Sequence, residues 1–253
     1  MNFDIAMTKE DLGARAAKMI AEKMNGAIQR RGYARIVLST GASQFDTIAA
    51  LVKEDVDWGR VTMFHLDEYV GLQESHAASF RKYLKERFVT KANGLKEAVF
   101  VNGEGDIHQN IAMLTKRLRE DTIDVGVIGI GENCHIAFND PPANFDIQDA
   151  YIVVDLDEQC KRQQVGEGWF ATLNDVPRQA ITMTPYQIMQ CQTIVSPVPY
   201  KVKADAIRKV LAAEYADEMV PASCLKTHPD FHLFVDRDSS SGSNAELIRK
   251  YHP

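Results

Sequence analysis

Short apolar runs rich in β-branched residues alternate with segments of helical periodicity along most of the chain. Ala34–Leu38 and residues 123–128 are typical of buried strands, whereas residues 8–31 carry an apolar stripe at helical spacing. This alternation predicts an α/β fold, a three-layer sandwich in which a mostly parallel, Rossmann-like central sheet has helices on both faces. With no internal repeat or low-complexity linker, we expect a single domain over residues 1–253.

The same patterns predict the remaining elements. Further strands are predicted at residues 61–66, 99–101, 151–154, 180–183, 192–195 and 231–235, and the last of them is expected to close the sheet. Further helices are predicted at residues 45–52, 77–88, 107–120, 185–189 and 202–213.

The composition argues against several classes of partner. The formal net charge is −6 and no basic run occurs, so neither nucleic acid nor an anionic membrane is an expected partner. The N-terminus lacks the pattern of a signal peptide, and no apolar stretch is long enough to span a bilayer. Four cysteines without a CxxC pair favour a reducing cytoplasm and argue against a zinc site: Cys134, Cys160, Cys191 and Cys224. The absence of a dinucleotide fingerprint completes an expectation of no metal and no cofactor.

Polar clusters follow three of the predicted strands directly. They are Thr-Gly-Ala-Ser at residues 40–43, Asp-Glu-Tyr at residues 67–69, and Asn-Cys-His at residues 133–135. In an open α/β sheet, ligands bind in the crevice outside the carboxyl ends of the strands. The three clusters are therefore expected to lie together at one edge of the sheet, with His135 among them.

These residue types suit proton transfer on a phosphorylated sugar. A turn of small, hydroxyl-bearing residues between a strand and a helix can bind phosphate through its N–H groups and hydroxyls. A histidine near its free pKa can shuttle the proton between the ring oxygen and the C1 hydroxyl that opens a pyranose ring. A carboxylate beside the carbon acid can move a proton from C2 to C1.

Residues 66–72 (Leu-Asp-Glu-Tyr-Val-Gly-Leu) and 135–139 (His-Ile-Ala-Phe-Asn) resemble two signatures of the glucosamine-6-phosphate deaminase/isomerase family. Residues 223–225, 228–229 and Asp236 resemble its C-terminal segment, so the resemblance covers nearly the whole chain. The related 6-phosphogluconolactonases share the fold but usually carry Asp-Glu-Arg where this chain has Asp-Glu-Tyr. The chain therefore resembles the deaminases, and the resemblance implies an amino-sugar 6-phosphate substrate.

The resemblance also implies roles for individual residues. Asp67 matches the enolising base and His135 the ring-opening acid/base, while Asp140 stands where a glutamate usually orients that histidine. Asn133 stands where the family usually has an aspartate, and an amide cannot stabilise a cationic imidazole as a carboxylate does. Cys134 replaces a usual glycine, so the backbone of the loop is expected to differ.

Phosphate binding is expected from the turn and from two basic residues. The resemblance implies that Lys201 is the phosphate-binding lysine, and Arg162 is the candidate for an arginine that has no clean counterpart. Surface charge in solvent is the alternative for both basic residues. The turn itself contributes Thr40, Gly41, Ala42 and Ser43.

Three functions remain open at the level of sequence. The first is an isomerising deaminase that converts glucosamine or galactosamine 6-phosphate to a ketose 6-phosphate and ammonia. The others are a 6-phosphogluconolactonase-type hydrolase and a sugar-phosphate-binding module without catalysis. Asp67 and His135 count against the last, because a binder needs no base at C2. The sequence leaves open the C4 configuration of the sugar, allosteric control and whether the chain forms a homo-oligomer.

Overall fold

The computed structural model describes residues 1–166 and 168–251. In chain order its strands are β1 (Asn2–Ala6), β2 (Ala34–Leu38), β3 (Val61–His65), β4 (Asp67–Tyr69), β5 (Glu97–Ala98), β6 (Val125–Val127), β7 (Tyr151–Asp155), β8 (Gln179–Met183), β9 (Thr193–Val198) and β10 (Phe231–Asp236). Its helices are α1 (Lys9–Arg31), α2 (Phe45–Leu51), α3 (Phe80–Leu84), α4 (Ile107–Leu118), α5 (Glu158–Gly166), α6 (Pro185–Ile188), α7 (Ala204–Ala212), α8 (Arg237–Ser240) and α9 (Ala245–Tyr251).

Seven of these strands form a parallel sheet in the order β1-β10-β9-β6-β2-β3-β5 across the described residues. From β2 the chain proceeds outward to β3 and β5, and from β6 it proceeds in the opposite direction to β9 and β10. The strand order therefore reverses between β2 and β6. Such a switch point opens a crevice at the carboxyl ends of the two strands.

Apolar residues pack on both faces of this sheet, because alternate side chains of a strand point to opposite sides. Ile36 and Leu38 of β2 join a core cluster with α1, α2 and α3, whereas Val37 joins a cluster with α4 and α7. Helices thus cover both faces, and the predicted three-layer α/β sandwich is confirmed. The single-domain organisation stays a prediction.

Helix α1 shows how the sequence sets the bounds of an element. The Thr8 side chain accepts a hydrogen bond from the N–H of Asp11 and caps the first turn. Gly32 ends the helix with a left-handed φ of 86°, which a residue with a side chain adopts only at a cost. The predicted helix at residues 8–31 is confirmed to within one residue.

A second, antiparallel sheet of three strands, in the order β4-β8-β7, was not predicted. The strands predicted at residues 151–154 and 180–183 exist, but they lie in this small sheet and not in the central one. The Asp-Glu-Tyr cluster, predicted only to follow the strand at 61–66, is its strand β4. A short apolar run shows that a strand forms without indicating which strand it pairs with.

Other differences lie at the edges of the central sheet. Residues 231–235 do not form the edge of the central sheet, because β1 lies outside β10. The polar residues Asn2 and Asp4 interrupt the apolar pattern of β1, so the sequence did not indicate this edge strand. The strand predicted at 99–101 is wrong, because the edge strand next to β3 is β5, which ends at Ala98. The helix predicted at 77–88 begins later, where Ser79 caps α3, and continues as a π-helical turn at Lys85–Val89.

No helix in the described ranges is long and apolar enough to cross a membrane.

Candidate active site

A cavity of about 630 Å³ lies at the switch point of the central sheet. Its lining combines the turn after β2, Asp67 at the start of β4, and the loop after β6 that carries His135. The three polar clusters of the sequence therefore meet at one edge of the sheet, as predicted. Within the described residues, no group of three or more His, Cys, Asp and Glu side chains could hold a metal ion.

The loop after β6 holds His135 against the backbone of Gly131. A Cβ atom on Gly131 would lie only 2.3–2.5 Å from atoms of the imidazole ring, so only glycine leaves room for the ring there. The N–H of Gly131 also donates to the carbonyl of His135 at 2.9 Å. The imidazole ring of His135 thus packs against the turn at Gly131 in the same loop.

Two residues beside His135 adopt the left-handed conformation. Cys134 has φ 72° and Ala137 has φ 50°, which is uncommon for residues that carry a side chain. The Cys134 thiol is buried against the carbonyl of Ala206 on α7, at 3.7 Å, and burial raises its pKa to about 11. Cys134 therefore adopts the backbone conformation that a glycine would reach without strain, so an altered backbone is not required by the substitution.

His135, Asp140 and Asn133 form one connected group. The imidazole Nδ1 lies 3.1 Å from Oδ1 of Asp140, and the same oxygen accepts a 2.8 Å hydrogen bond from Nδ2 of Asn133. Burial alone would raise the pKa of Asp140, but its contacts with His135, Asn133 and Cys160 hold the pKa below its ordinary value. Asp140 is thus a carboxylate at neutral pH, suited to orient the imidazole and to stabilise its cation.

Asp67 is a buried carboxyl group that still reaches the cavity, with 7% of its surface exposed. Burial raises its pKa well above the ordinary value, and the charge of Glu68 adds to the shift. A carboxylate whose pKa is raised binds a proton more firmly, which suits a base that must take a proton from carbon.

Glu68, by contrast, makes structural contacts between β4 and α3. Its carboxylate accepts hydrogen bonds from the Ser79 hydroxyl at 2.8 Å and from Nε of Arg81 at 3.2 Å, and it also pairs with backbone N–H groups. These contacts fasten the start of α3 onto β4.

The turn after β2 presents donors to the cavity. Thr40, Gly41, Ala42 and Ser43 all line it, and among the described contacts their four backbone N–H groups have no protein acceptor. Grouped N–H donors of this kind make an anion-binding concavity. The turn therefore groups N–H donors at the cavity, and phosphate binding there stays a prediction.

The two predicted basic residues differ in position. Arg162 of α5 lines the mouth of the cavity, with 71% of its side chain exposed and 3.8 Å from Glu158. Lys201 is not among the lining residues, and its Nζ donates to the Ser241 hydroxyl at 2.7 Å. Lys203, which the sequence analysis missed, is buried and lines the cavity.

Comparison of this sequence with known protein families shows which family the chain belongs to. The sequence model of the glucosamine-6-phosphate isomerases/6-phosphogluconolactonase family matches residues 7–233. The chain belongs to this family. The resemblance seen in the two sequence signatures is thereby confirmed.

Individual members of the family match over most of their length. A glucosamine-6-phosphate deaminase of Listeria monocytogenes is 34% identical over 233 residues, 90% of this chain and 94% of that protein. A glucosamine-6-phosphate deaminase of Streptococcus sanguinis is 31% identical over 230 residues, 90% and 93% of the two chains. The solved structure of a monomeric glucosamine-6-phosphate deaminase has a TM-score of 0.85 at 28% identity and covers 96% of this chain and 100% of its own. A 6-phosphogluconolactonase from Shewanella baltica has a TM-score of 0.77 at 19% identity, which shows a shared fold.

In this member of the glucosamine-6-phosphate isomerase/6-phosphogluconolactonase family, a local feature explains why Lys201 and Lys203 differ in position. Lys201–Lys203 form a single 3₁₀ turn between β9 and α7, in which residues two apart point to different sides. The sequence offers two lysines at nearly the same place and does not show which one faces the cavity. The sequence holds one indication that Lys203 faces inward. Lys203 directly precedes Ala204, the first buried residue of the apolar stripe of α7.

Proposed function

We propose that this chain is an isomerising deaminase that converts an amino-sugar 6-phosphate to a ketose 6-phosphate and ammonia. One observation carries the proposal: Asp67 and His135 line the same cavity as the phosphate turn, in a chain 31–34% identical to proteins named glucosamine-6-phosphate deaminase. The two groups are those that ring opening and proton transfer need.

The substrate phosphate binds to the turn at residues 40–43, with Lys203 and Arg162 as its cationic partners. Its dianionic charge accepts hydrogen bonds from the N–H groups of the turn and charge-assisted bonds from Nζ of Lys203. In this proposal Lys203 takes the role that the sequence resemblance gave to Lys201. The position of Lys201 outside the cavity lining supports the reassignment.

His135 opens the ring by moving the proton of the C1 hydroxyl to the ring oxygen. The C1–O5 bond breaks as the C1 carbonyl forms, and the imidazole accepts one proton and returns it. Asp140 holds the imidazole at Nδ1 and balances its transient positive charge. Asn133 holds Asp140 in place through its amide N–H.

Asp67 then removes the proton from C2 of the open-chain amino sugar and delivers it to C1. The first step gives an enolamine, and protonation at C1 leaves an imine at C2. Water adds to this imine and ammonia leaves, so that the ketose 6-phosphate is formed without any external oxidant or reductant. The raised pKa of Asp67 supports its part as the base and later the acid.

A cytoplasmic location and a single domain are part of the same proposal. All four cysteines are buried, and within the described residues none forms a disulfide bond, which is the state that a reducing compartment maintains. The family resemblance covers the chain from residue 7 to residue 233 without a break.

The test is ammonia release by the purified protein from glucosamine 6-phosphate and, separately, from galactosamine 6-phosphate, which differ at C4. Turnover of either sugar supports the proposal, and the preferred epimer identifies the substrate. Hydrolysis of 6-phosphogluconolactone without any ammonia release from the amino sugars would instead make the chain a lactonase. Binding of these ligands with no turnover would reduce it to a binding module.

A further inference from the structure

Two phenol hydroxyls hold the turn after β2. The hydroxyl of Tyr83, on α3, donates to the carbonyl of Gly41 at 2.9 Å. The hydroxyl of Tyr200, which follows β9, donates to the carbonyl of Ala42 at 3.3 Å. Two tyrosines from separate parts of the fold thus bind two consecutive carbonyls of the turn.

These contacts bear on the donors that the turn presents. In a trans peptide the C=O and the N–H point in opposite directions. The phenols that hold the carbonyls of Gly41 and Ala42 therefore orient the N–H groups of Ala42 and Ser43. Each carbonyl also accepts a backbone N–H, from Gln44 and Phe45 respectively, so the phenols reinforce an orientation that the turn begins.

Tyr200 reaches its position at a conformational cost. Its φ of 82° lies in the left-handed region, where a bulky residue is a genuine outlier. Its N–H donates to Asp236 at 3.1 Å, and its carbonyl accepts from the N–H of Lys203 at 3.0 Å, so both sides of the residue are fixed. Strain that the surroundings hold in this way marks functional sites, and Tyr200 also lines the cavity.

Tyr83 is fixed by packing. It is buried, and its ring stacks on that of Phe45 at a centroid distance of 5.7 Å. Burial raises the pKa of Tyr83 and also that of Tyr200, so both phenols keep their protons at neutral pH. Each hydroxyl therefore remains a donor to the turn throughout the working range.

We infer that Tyr83 and Tyr200 are positioning residues that clamp the turn so that its N–H groups face the phosphate of the substrate. The inference rests on the proposed function, because it takes the turn as the phosphate site of that reaction. It adds Tyr83 and Tyr200 to the site, and it explains why Tyr200 is held in a strained backbone conformation. Neither hydroxyl takes part in proton transfer to the sugar.

The experiment compares Tyr83→Phe, Tyr200→Phe and the double variant with the unchanged protein. Phenylalanine keeps the ring and its packing and removes only the hydroxyl. The affinity for inorganic phosphate, measured by calorimetry, should fall about threefold to tenfold in each single variant, as expected for the loss of one neutral hydrogen bond. The double variant should lose more. The KM for the amino-sugar phosphate should rise by a similar factor while kcat stays within twofold.

Tyr251→Phe is the matched control, because its hydroxyl also donates to a backbone carbonyl, that of Leu211, away from the cavity. It should leave phosphate affinity and KM unchanged, and melting temperatures of all variants report any general loss of stability. Unchanged phosphate affinity in both Tyr83→Phe and Tyr200→Phe overturns the clamp, as does a lack of phosphate binding by the unchanged protein. Weakened phosphate binding in a protein that releases no ammonia supports the clamp and rejects the proposed reaction.

Discussion

Asn133 links Asp140 to the backbone of His135. Its Nδ2 donates to Asp140 Oδ1 at 2.8 Å, while its Oδ1 accepts from the backbone N–H of His135 at 3.1 Å. A carboxylate at position 133 could make the second contact but could not donate the first. The pair of Asn133 and the shorter acid Asp140 therefore forms a consistent arrangement, with one donor and one acceptor facing each other.

Replacing Asp67 by asparagine should abolish proton transfer at carbon. The amide cannot accept the C2 proton, so deuterium from solvent should no longer enter the sugar at the transferred position, while sugar binding remains measurable. Mass spectrometry of the recovered sugar after incubation in D₂O gives the result. Exchange at the rate of the unchanged protein would rule out Asp67 as the base.

The same substitution should stabilise the fold at neutral pH. Because the folded-state pKa of Asp67 is raised, its contribution to stability is fully present below the unfolded-state value near 3.8 and is lost as the pH rises. Asp67→Asn removes that loss and should raise the Tm by a few degrees, since each kcal/mol corresponds to about 2–4 °C for a chain of this size. Thermal unfolding at pH 7.5 should show the gain, and unfolding at pH 4 should show little difference.

Asp140→Asn is the matched control for this experiment. Its folded-state pKa is lowered, so its contribution is present above the unfolded-state pKa and is lost as the pH falls through the folded-state pKa. Asp140→Asn should therefore lower the Tm at pH 7.5 and have less effect in strong acid. Equal shifts in the two variants would mean that the charges of Asp67 and Asp140 do not govern the change.

The two lysines after β9 allow a paired test of phosphate binding. Lys203→Met should raise KM about tenfold to a hundredfold, because a charge-assisted bond to the phosphate is lost while the apolar stem is kept. Lys201→Met should change KM less than twofold, since Lys201 is exposed and contacts Ser241. Steady-state kinetics of both variants show which of the two lysines binds the phosphate. The reverse order of effects would restore Lys201 as the phosphate ligand.

Elements whose signals lie within their own residues were predictable from the sequence, whereas strand pairing across the fold was not. The helix at residues 8–31 and the strand at 34–38 were predictable because caps and apolar periodicity lie within the elements themselves. The position of His135 was predictable because it lies in the loop after a central strand. The pairing of β4 with β8 depends on contacts between distant segments, which no local pattern records. Asn133 was read as a lost charge, and only the structure shows that it donates to Asp140.

Asn133→Asp tests that arrangement directly. The new carboxyl group would lie where Asn133 now donates to Asp140, and two carboxyls so close resist ionising together, so one of them keeps a proton to higher pH. Once both are ionised, the added charge favours the imidazolium form of His135. Both effects move the acidic limb of kcat/KM to higher pH, with a lower rate below the limb. The profile of kcat/KM against pH for both proteins gives the measurement. Superimposable profiles would show that the charge at position 133 does not act on His135, and the role proposed for Asn133 would then be limited to holding the loop.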